Sequence, residues 1–488
     1  MLRPWQVSLS ERLDAASATP VYLQIIQALI RDIERGRLKS GEFLPSSRDL
    51  ATALGVNRKT VVLAYEDLIA QGWLDSAGTR GTIVSSSLPE PVRNARTPKA
   101  AHPAESEAQY WFAPPPARPL ALPSGPGLKL DEGAPDGRLF PADPLARAYR
   151  ASALKASSDN RLQYRDPRGS PALRDSVAAM LRSQRGLNVR TENVCITRGS
   201  QHSIFLASQV LLNPGDTAVV EELTYEPAVA AFRARGAKIA PVGLDADGID
   251  VDAVEAVCRR HAVKAVFVTP HHQFPTTVAL RPERRLRLLE LARQFGFAII
   301  EDDYDHEFHF GGQPLLPMAA YAPEHVIYAG SLSKLALPAL RIGYVAAPVA
   351  VIEALAHIVS LVDGMGNTLT EDAAAELMEN GELRRHARKV RNVYAARRSQ
   401  FAEALAETLG EVVDYSIPDG GLAFWLRFHR VADLDKIEAQ APGLGLRFAT
   451  SRSFMARDDA PRGLRVGFAS LNPGEARAAI RALKSALD

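Results

Sequence analysis

The chain has 488 residues, too many for one hydrophobic core, so at least two domains are expected. Hydrophobic residues make up 46% of it and charged residues 23%, ordinary values for a globular protein, and the net charge of +2 singles out neither nucleic acid nor membrane nor an acidic substrate. Two cysteines, Cys195 and Cys258, are too few for a disulfide framework and suit a reducing compartment. Residues 1–19 lack the apolar core of a signal peptide, and no apolar run is long enough to span a bilayer, so a cytoplasmic protein without a membrane partner is expected.

Residues 20–36 place Val21, Ile25, Leu29 and Ile33 at four-residue spacing, one face of a helix. Gly36 and Gly41 punctuate the turn that follows. Ser46 and Ser47 can cap a short helix carrying Leu50, Ala51 and Leu54, which Gly55 ends. Asn57 caps a third helix, with Val61, Tyr65, Leu68 and Ile69 inward, ending at Gly72. Helix, Gly-containing turn, helix is the helix-turn-helix arrangement. Arg58, Lys59 and Thr60 stand at the start of its second member, where a recognition helix touches bases and phosphates. Trp73-Leu74 and residues 82–84 then bracket a hairpin tip, Ala77-Gly78-Thr79-Arg80-Gly81, a wing able to reach phosphates or the minor groove. Acids and bases nearly balance here, so on pattern alone a small helical protein-interaction module stays open as the alternative.

The continuous text is more specific. Pro20-Val21-Tyr22-Leu23-Gln24-Ile25, Gly36-Arg37-Leu38-Lys39-Ser40-Gly41 and Leu44-Pro45-Ser46-Ser47-Arg48-Asp49-Leu50-Ala51 are followed by Leu54-Gly55-Val56-Asn57-Arg58-Lys59-Thr60-Val61 and Gly78-Thr79-Arg80-Gly81-Thr82. Residues 20–84 resemble the GntR-type winged-helix domain almost throughout. The resemblance implies a double-stranded DNA operator as partner. It also implies contacts from Ser47, Arg48, Arg58, Thr60, Arg80 and Gly81, with Lys59 as a further phosphate contact, and a dimer reading two half-sites.

Residues 89–125 are dense in proline, which prevents regular hydrogen bonding and favours an extended, semi-rigid linker. Beyond them, short apolar runs at 194–197, 217–220, 265–269, 298–300, 326–329 and 342–346 read as buried parallel strands. Helical segments between them, such as 282–295, suggest crossover units and an α/β domain with a mainly parallel sheet. Residues 371–409 read as helix, and strands near 421–428 and 463–468 complete a smaller α+β subdomain.

Three short motifs in this region carry chemistry. Gly330-Ser331-Leu332-Ser333-Lys334 puts a lysine directly after a buried strand, where desolvation penalises its charge; an imine to an aldehyde cofactor is one use for it. Ser331, Ser333 and Arg341 could hold a phosphate, and Thr197-Arg198-Gly199-Ser200-Gln201 runs a strand into a helix N-terminus that favours a dianion. Ile300-Glu301-Asp302-Asp303-Tyr304 ends a strand on carboxylates, one of which could keep a pyridine nitrogen protonated. The cluster 302–309 and His271-His272 also contain metal-ligand types, but side chains leaving a strand splay to different faces, so no metal is expected.

Together and in order, these motifs resemble the fold-type I aminotransferases across residues 126–488. The whole chain resembles the MocR-type (GabR-like) regulators, a winged helix fused to that pyridoxal 5'-phosphate-dependent transferase fold. The resemblance implies Lys334 as the imine-forming lysine, Asp302 on the pyridine nitrogen, Tyr304 on the ring hydroxyl and Tyr225 stacked on the ring. It implies Ser331, Ser333, Arg341 and the Gly199, Ser200 and Gln201 amides on the phosphate, Tyr164 reaching the phosphate of a partner subunit in a homodimer, and Arg465 gripping an effector carboxylate. One departure is Phe274-Pro275-Thr276-Thr277, where the family has Asn-Pro-Thr-Gly; Gln273 or His272 is left to replace the missing asparagine. Another is that no arginine lies between Tyr225 and Arg233, which puts an effector resembling γ-aminobutyrate in doubt.

The expected protein is therefore a multidomain regulator: winged helix in 1–88, linker in 89–125, cofactor domain in 126–488. It would sense a small amino compound through external aldimine formation at Lys334. The rivals are an active aminotransferase with an appended winged helix, and a regulator whose second domain only dimerises and binds no cofactor.

Overall fold

A computed structural model of the chain describes residues 19–89, 127–312 and 314–488, together with Leu13, Asp14, Ser17 and Trp111. These residues fall into two compact units, one on each side of residue 115. The proline-rich stretch 89–125 lies outside the described residues except at Pro89 and Trp111.

Among the described residues, the first unit has three α-helices, Val21–Glu34, Ser47–Leu54 and Arg58–Ala70. Ile25 and Leu29 are fully buried against Leu50, Val61, Leu68, Leu74 and Val84. The Ser46 hydroxyl accepts the Asp49 amide at 3.2 Å and Asn57 Oδ1 accepts the Lys59 amide at 2.8 Å, so each polar residue satisfies a helix-end donor that would otherwise face water. Gly55, at φ +65°, ends the second helix in the left-handed conformation. Strands Leu74–Ser76 and Thr82–Val84 pair antiparallel, and residues 42–44 flank them through the Val84 amide to Glu42 carbonyl and Leu44 amide to Thr82 carbonyl bonds. Ile69, expected inward, is 36% exposed. Eight residues after Val61 it has rotated about 80° past the buried face, whereas Leu68 returns to it.

The second unit is built on a seven-stranded sheet. Its strands lie side by side as Val194–Thr197, Gly343–Ala346, Val326–Ser331, Ala298–Asp303, Val263–Val268, Thr217–Glu221 and Lys238–Val242. All six apolar runs of the sequence are in it. Gly343–Ala346 departs from the expected parallel direction: it runs antiparallel to both neighbours, because only the short segment 332–342 connects it to the strand beside it. Lys238–Val242 was not expected. It carries Pro241 and pairs on one side only, the place where a strand tolerates a proline.

Alternate residues of the central strands feed two cores. Val266, Val268, Ile299 and Tyr328 pack on one face, Ala265, Phe267, Ile300 and Ile327 on the other, and all are buried. Helices cover both faces, including Pro282–Phe295, whose ends match the sequence expectation. The 371–409 segment is two helices, Thr368–Glu379 and Glu382–Leu409, broken at Gly381 with φ +78°.

The smaller subdomain has an antiparallel sheet of Val413–Asp414, Ala423–Phe428 and Leu464–Gly467. A further pair is parallel: Leu128–Leu130, at the start of the unit, beside Leu446–Phe448 near its end. Among the described residues no helix is long and apolar enough to cross a membrane.

These burials set a contrast within one domain. Leu29→Ala should destabilise the first unit by about 2–5 kcal/mol, and Ile69→Ala by under about 1 kcal/mol, in denaturant unfolding followed by circular dichroism.

Candidate functional site

Three strand ends, Thr197, Gly343 and Ser331, stand in register across neighbouring strands. Gly199 follows the first at φ +90° and opens the helix Ser200–Leu211. It lies so close to Gly343 that a Cβ on the latter would sit 2.6 Å from the Gly199 Cα. Arg341, itself at φ +51°, lays its guanidinium against Gly199, with both terminal nitrogens 3.3 Å from where a Gly199 Cβ would be, and donates to the Arg198 carbonyl at 2.5 Å. Ser331 Oγ accepts the Ser333 amide at 3.0 Å. The Ser200 and Ser333 hydroxyls are buried without a hydrogen-bond partner. A helix N-terminus, a guanidinium and two orphaned hydroxyls thus converge where an anion would satisfy them.

On the next strand Asp302 pairs in register with Ala329. Burial pushes its carboxyl up to about 7, and its Oδ1 has no hydrogen-bond partner. Lys334 follows the sheet as the third residue after Ser331. Its Nζ donates to the Gly133 carbonyl at 2.6 Å, and burial holds its amine below the usual lysine pKa. Tyr225 and Phe274 meet edge to face at 5.4 Å. Tyr304 donates its hydroxyl to the His272 carbonyl at 2.9 Å and accepts from Arg465 at 3.3 Å.

Arg465 is 1% exposed. It also donates to the Glu132 carbonyl at 2.9 Å and the Pro275 carbonyl at 2.7 Å, with its guanidinium 4.6 Å from the Phe274 ring centre. The fork expected for an effector carboxylate is therefore engaged within the protein. Gln201, expected to offer its amide, is the second residue of the helix that opens at Gly199, with its side chain exposed, whereas Tyr164 is 87% exposed beside Gly364.

Neither substitute for the missing asparagine is free. Gln273 Nε2 donates to Glu221 and to the Leu223 and Phe274 carbonyls, while its Oε1 accepts from the Thr276 amide and hydroxyl. His272 Nδ1 pairs with Asp305 Oδ1 at 2.7 Å. Both side chains hold the turn instead of reaching into the site.

The acidic run also behaves differently from the expectation that it splays. Asp303 and His306 face each other, Oδ2 to Nδ1 at 2.8 Å, and His271 stands 3.6 Å from the other oxygen. Tyr328 donates to the same carboxylate at 2.5 Å. Burial opposes the charge on Asp303, but His271, His306 and Arg185 outweigh it and hold its pKa well below the usual range.

In the first unit the structure brings two of the expected DNA contacts together. Arg58 Nε donates to Ser47 Oγ at 3.3 Å across the helix-turn-helix. Arg48 and Lys59 are exposed, Thr60 is half-buried, and Arg80 and Gly81 occupy the hairpin tip.

Comparison with known proteins accounts for both units. The aminotransferase class I and II family matches residues 126–483, and the gntR family of bacterial regulatory proteins matches residues 21–84. The probable rhizopine catabolism regulatory protein MocR of Rhizobium meliloti is 30% identical over 478 residues, 97% of this chain and 95% of its own. The chain belongs to the MocR-type GntR regulators. Aromatic-amino-acid aminotransferase 1 of Thermococcus litoralis, also 30% identical, covers 73% of this MocR-type chain and 87% of its own length. The structure of LysN, α-aminoadipate aminotransferase of Thermus thermophilus with N-(5'-phosphopyridoxyl)-L-leucine, superposes with a TM-score of 0.69 at 28% identity. It covers 74% of this chain and 92% of its own.

The MocR-type site fits pyridoxal phosphate on its own chemistry. It offers an orphaned carboxylate for a ring N–H, a desolvated amine for an aldehyde, and orphaned hydroxyls beside a guanidinium for a phosphate. Sequence reading missed the segment 131–133, which the Leu128–Leu130 pairing delivers to Lys334 and Arg465. Its only signal was an acidic pair before a glycine.

Asp303→Asn should remove about 3–5 kcal/mol of stability by breaking the buried group. Because the native pKa is depressed, the carboxylate's own contribution is lost as pH falls from about 4 towards the native value, so unfolding free energies of parent and variant should converge there.

Proposed function

We propose that this chain is a transcription regulator that binds an operator through residues 1–88 and senses a small primary amine in residues 126–488, with 89–125 as the linker. Pyridoxal phosphate is the cofactor of the second domain. The observation that carries the reading is the convergence of a desolvated Lys334, an orphaned Asp302 and the Ser200, Ser333 and Arg341 anion cradle, in a chain whose other unit exposes Arg48, Arg58, Lys59 and Arg80 on a winged helix.

Each residue has a task that follows from its surroundings. Ser200, Ser331, Ser333, Arg341 and the amides of Gly199, Ser200 and Gln201 hold the phosphate. Asp302, poised near neutrality, accepts a hydrogen bond from the ring nitrogen and keeps it protonated. Tyr225 and Phe274 wall the ring, and Tyr304 positions Arg465 on one side and the His272 backbone on the other. When bound, the cofactor supplies an aldehyde that condenses with primary amines. Lys334 is the amine this chain offers. Burial lowers its pKa, which favours the nucleophilic free amine, and the Gly133 carbonyl orients it. Tyr164, exposed on this chain, reaches the phosphate of a second copy in a homodimer.

The energy for a response is the difference in effector affinity between the two states of the domain, about 1–3 kcal/mol in coupled systems. An aminotransferase with an appended winged helix is not favoured. The MocR relative aligns over both domains, the aminotransferases over one, and the turn bearing Phe274 has no side chain free to take the missing asparagine's place.

Two measurements test the reading. Lys334→Ala should abolish the visible cofactor band and the effector response of operator binding together; a full response by the variant overturns covalent sensing. In fluorescence anisotropy with operator DNA, Lys59→Ala should lower affinity evenly across sequences and reduce the slope of log K against log salt by about 1.

A further inference from the structure

Asp302 and Asp303 are consecutive residues of one strand, so their side chains leave it on opposite faces of the sheet. Asp302 belongs to the site described above. Asp303 lies on the face of Ile299 and Tyr328 and has neighbours of its own. Its Oδ2 is satisfied twice, by the Tyr328 hydroxyl at 2.5 Å and by His306 Nδ1 at 2.8 Å; both donate, because a carboxylate only accepts. Its Oδ1 has no hydrogen-bond partner among the described residues. His271 Nδ1 stands 3.6 Å from that oxygen and is likewise buried and unpartnered. At 6% and 4% exposure, neither His271 nor Asp303 can turn to bulk water instead.

The other nitrogen of His271 decides the nature of this contact. Nε2 lies 2.6 Å from the Leu315 carbonyl, an acceptor, and so carries the ring hydrogen. Arg285 fixes the chain on both sides of that bond, donating to the Pro270 and Leu316 carbonyls at 2.7 and 3.1 Å. In the neutral ring Nδ1 is then a lone pair facing a carboxylate oxygen, acceptor against acceptor. At 3.6 Å no hydrogen bond joins them, whereas a hydrogen on Nδ1 would draw the ring in as His306 is drawn in on Oδ2. Two buried acceptors so placed lack a cation between them. Two ligands, each about 2.1 Å from one ion, stand about 3–4 Å apart, as these do. The His306 ring centre is 4.8 Å from that of His271, and one ligand atom from each of the three residues lies within 4.8 Å of the others. A backbone carbonyl on the far nitrogen is also what aims a ligating histidine.

We propose that His271 Nδ1, Asp303 Oδ1 and the His306 imidazole bind a divalent transition-metal ion of the zinc class. The site does not depend on the amine-sensing reading above. Two imidazoles and one carboxylate suit zinc; calcium and magnesium take oxygen ligands. His306 exchanges its hydrogen bond to Oδ2 for the ion, its Nδ1 hydrogen passes to Nε2 or to water, and Tyr328 keeps Oδ2 satisfied. His306 also lines a cavity of about 310 Å³ with Glu307 and His309, which admits the ion and a water as fourth ligand. Arg185, whose charge also acts on Asp303, is paired with Glu307. The ion fastens the loop that begins at His271 to the strand end that carries Asp302.

The test uses full-length, cofactor-loaded protein, stripped of metals by dialysis against a chelator and then equilibrated with micromolar zinc chloride. Metal content is read by atomic emission and affinity by competition with a chromophoric chelator, for the parent, His271→Ala and His306→Ala. The parent should bind zinc at least about ten-fold more tightly than either variant, because even partners outside the ligand set cost that much when removed. Zinc should raise the thermal unfolding midpoint of the parent and leave that of His271→Ala unchanged, and magnesium chloride should move neither. His271→Asn offers Asp303 a donor in place of the lone pair, and it carries the comparison should His271→Ala fail to fold. A parent that takes up no zinc overturns the proposal. So does a zinc content and affinity that the His271 or the His306 substitution leaves unchanged, since the ion is then held by other groups.

Discussion

The structure turns on one desolvated amine. Lys334 sits just past the end of a buried strand, in surroundings that disfavour its charge, and its hydrogen bond to the Gly133 carbonyl ties the large sheet to the segment that enters from the smaller subdomain. Most of the second unit can be understood as holding that amine. The strand before it sets its position, and the Leu128–Leu130 pairing brings up its acceptor. Burial within the domain disfavours its charge.

Around this amine the domain concentrates groups that the protein itself leaves incomplete. Asp302 Oδ1 and the Ser200 and Ser333 hydroxyls are buried and unpartnered, which costs stability unless something fills the site. Elsewhere near the site the opposite holds. Gln273, Arg465, Asp131 and the His272–Asp305 pair are satisfied by neighbours within the chain. On the proposed reading the open groups would face the cofactor and the closed groups would form its frame.

The sequence was most legible where the physics is local. The caps at Ser46 and Asn57, the left-handed end at Gly55, and the four-residue spacing of Ile25, Leu29 and Ile33 need only a few neighbouring residues to be read. The same holds for the six apolar runs that form the sheet and for the lysine that ends one of them. Ile69 was misjudged because one residue of helix, 100° of rotation, separates a buried position from an exposed one. The break at Gly381 was missed because a lone glycine inside a helical pattern is often tolerated.

What the sequence by itself determined was the set of chemical groups and the order in which they occur: the capped helices and wing, the alternation of strand and helix, the lysine, the carboxylates, the serines and the arginine. Their meeting was decided only in three dimensions. Strand order and direction put Thr197, Gly343 and Ser331 side by side across nearly 150 residues of chain. Packing also bonded Arg465 to Glu132, Pro275 and Tyr304, so that a side chain suited to a ligand became part of the frame. Hydrogen-bond partners distant along the chain are chosen by the fold, because a buried donor takes whichever acceptor the packing leaves within reach.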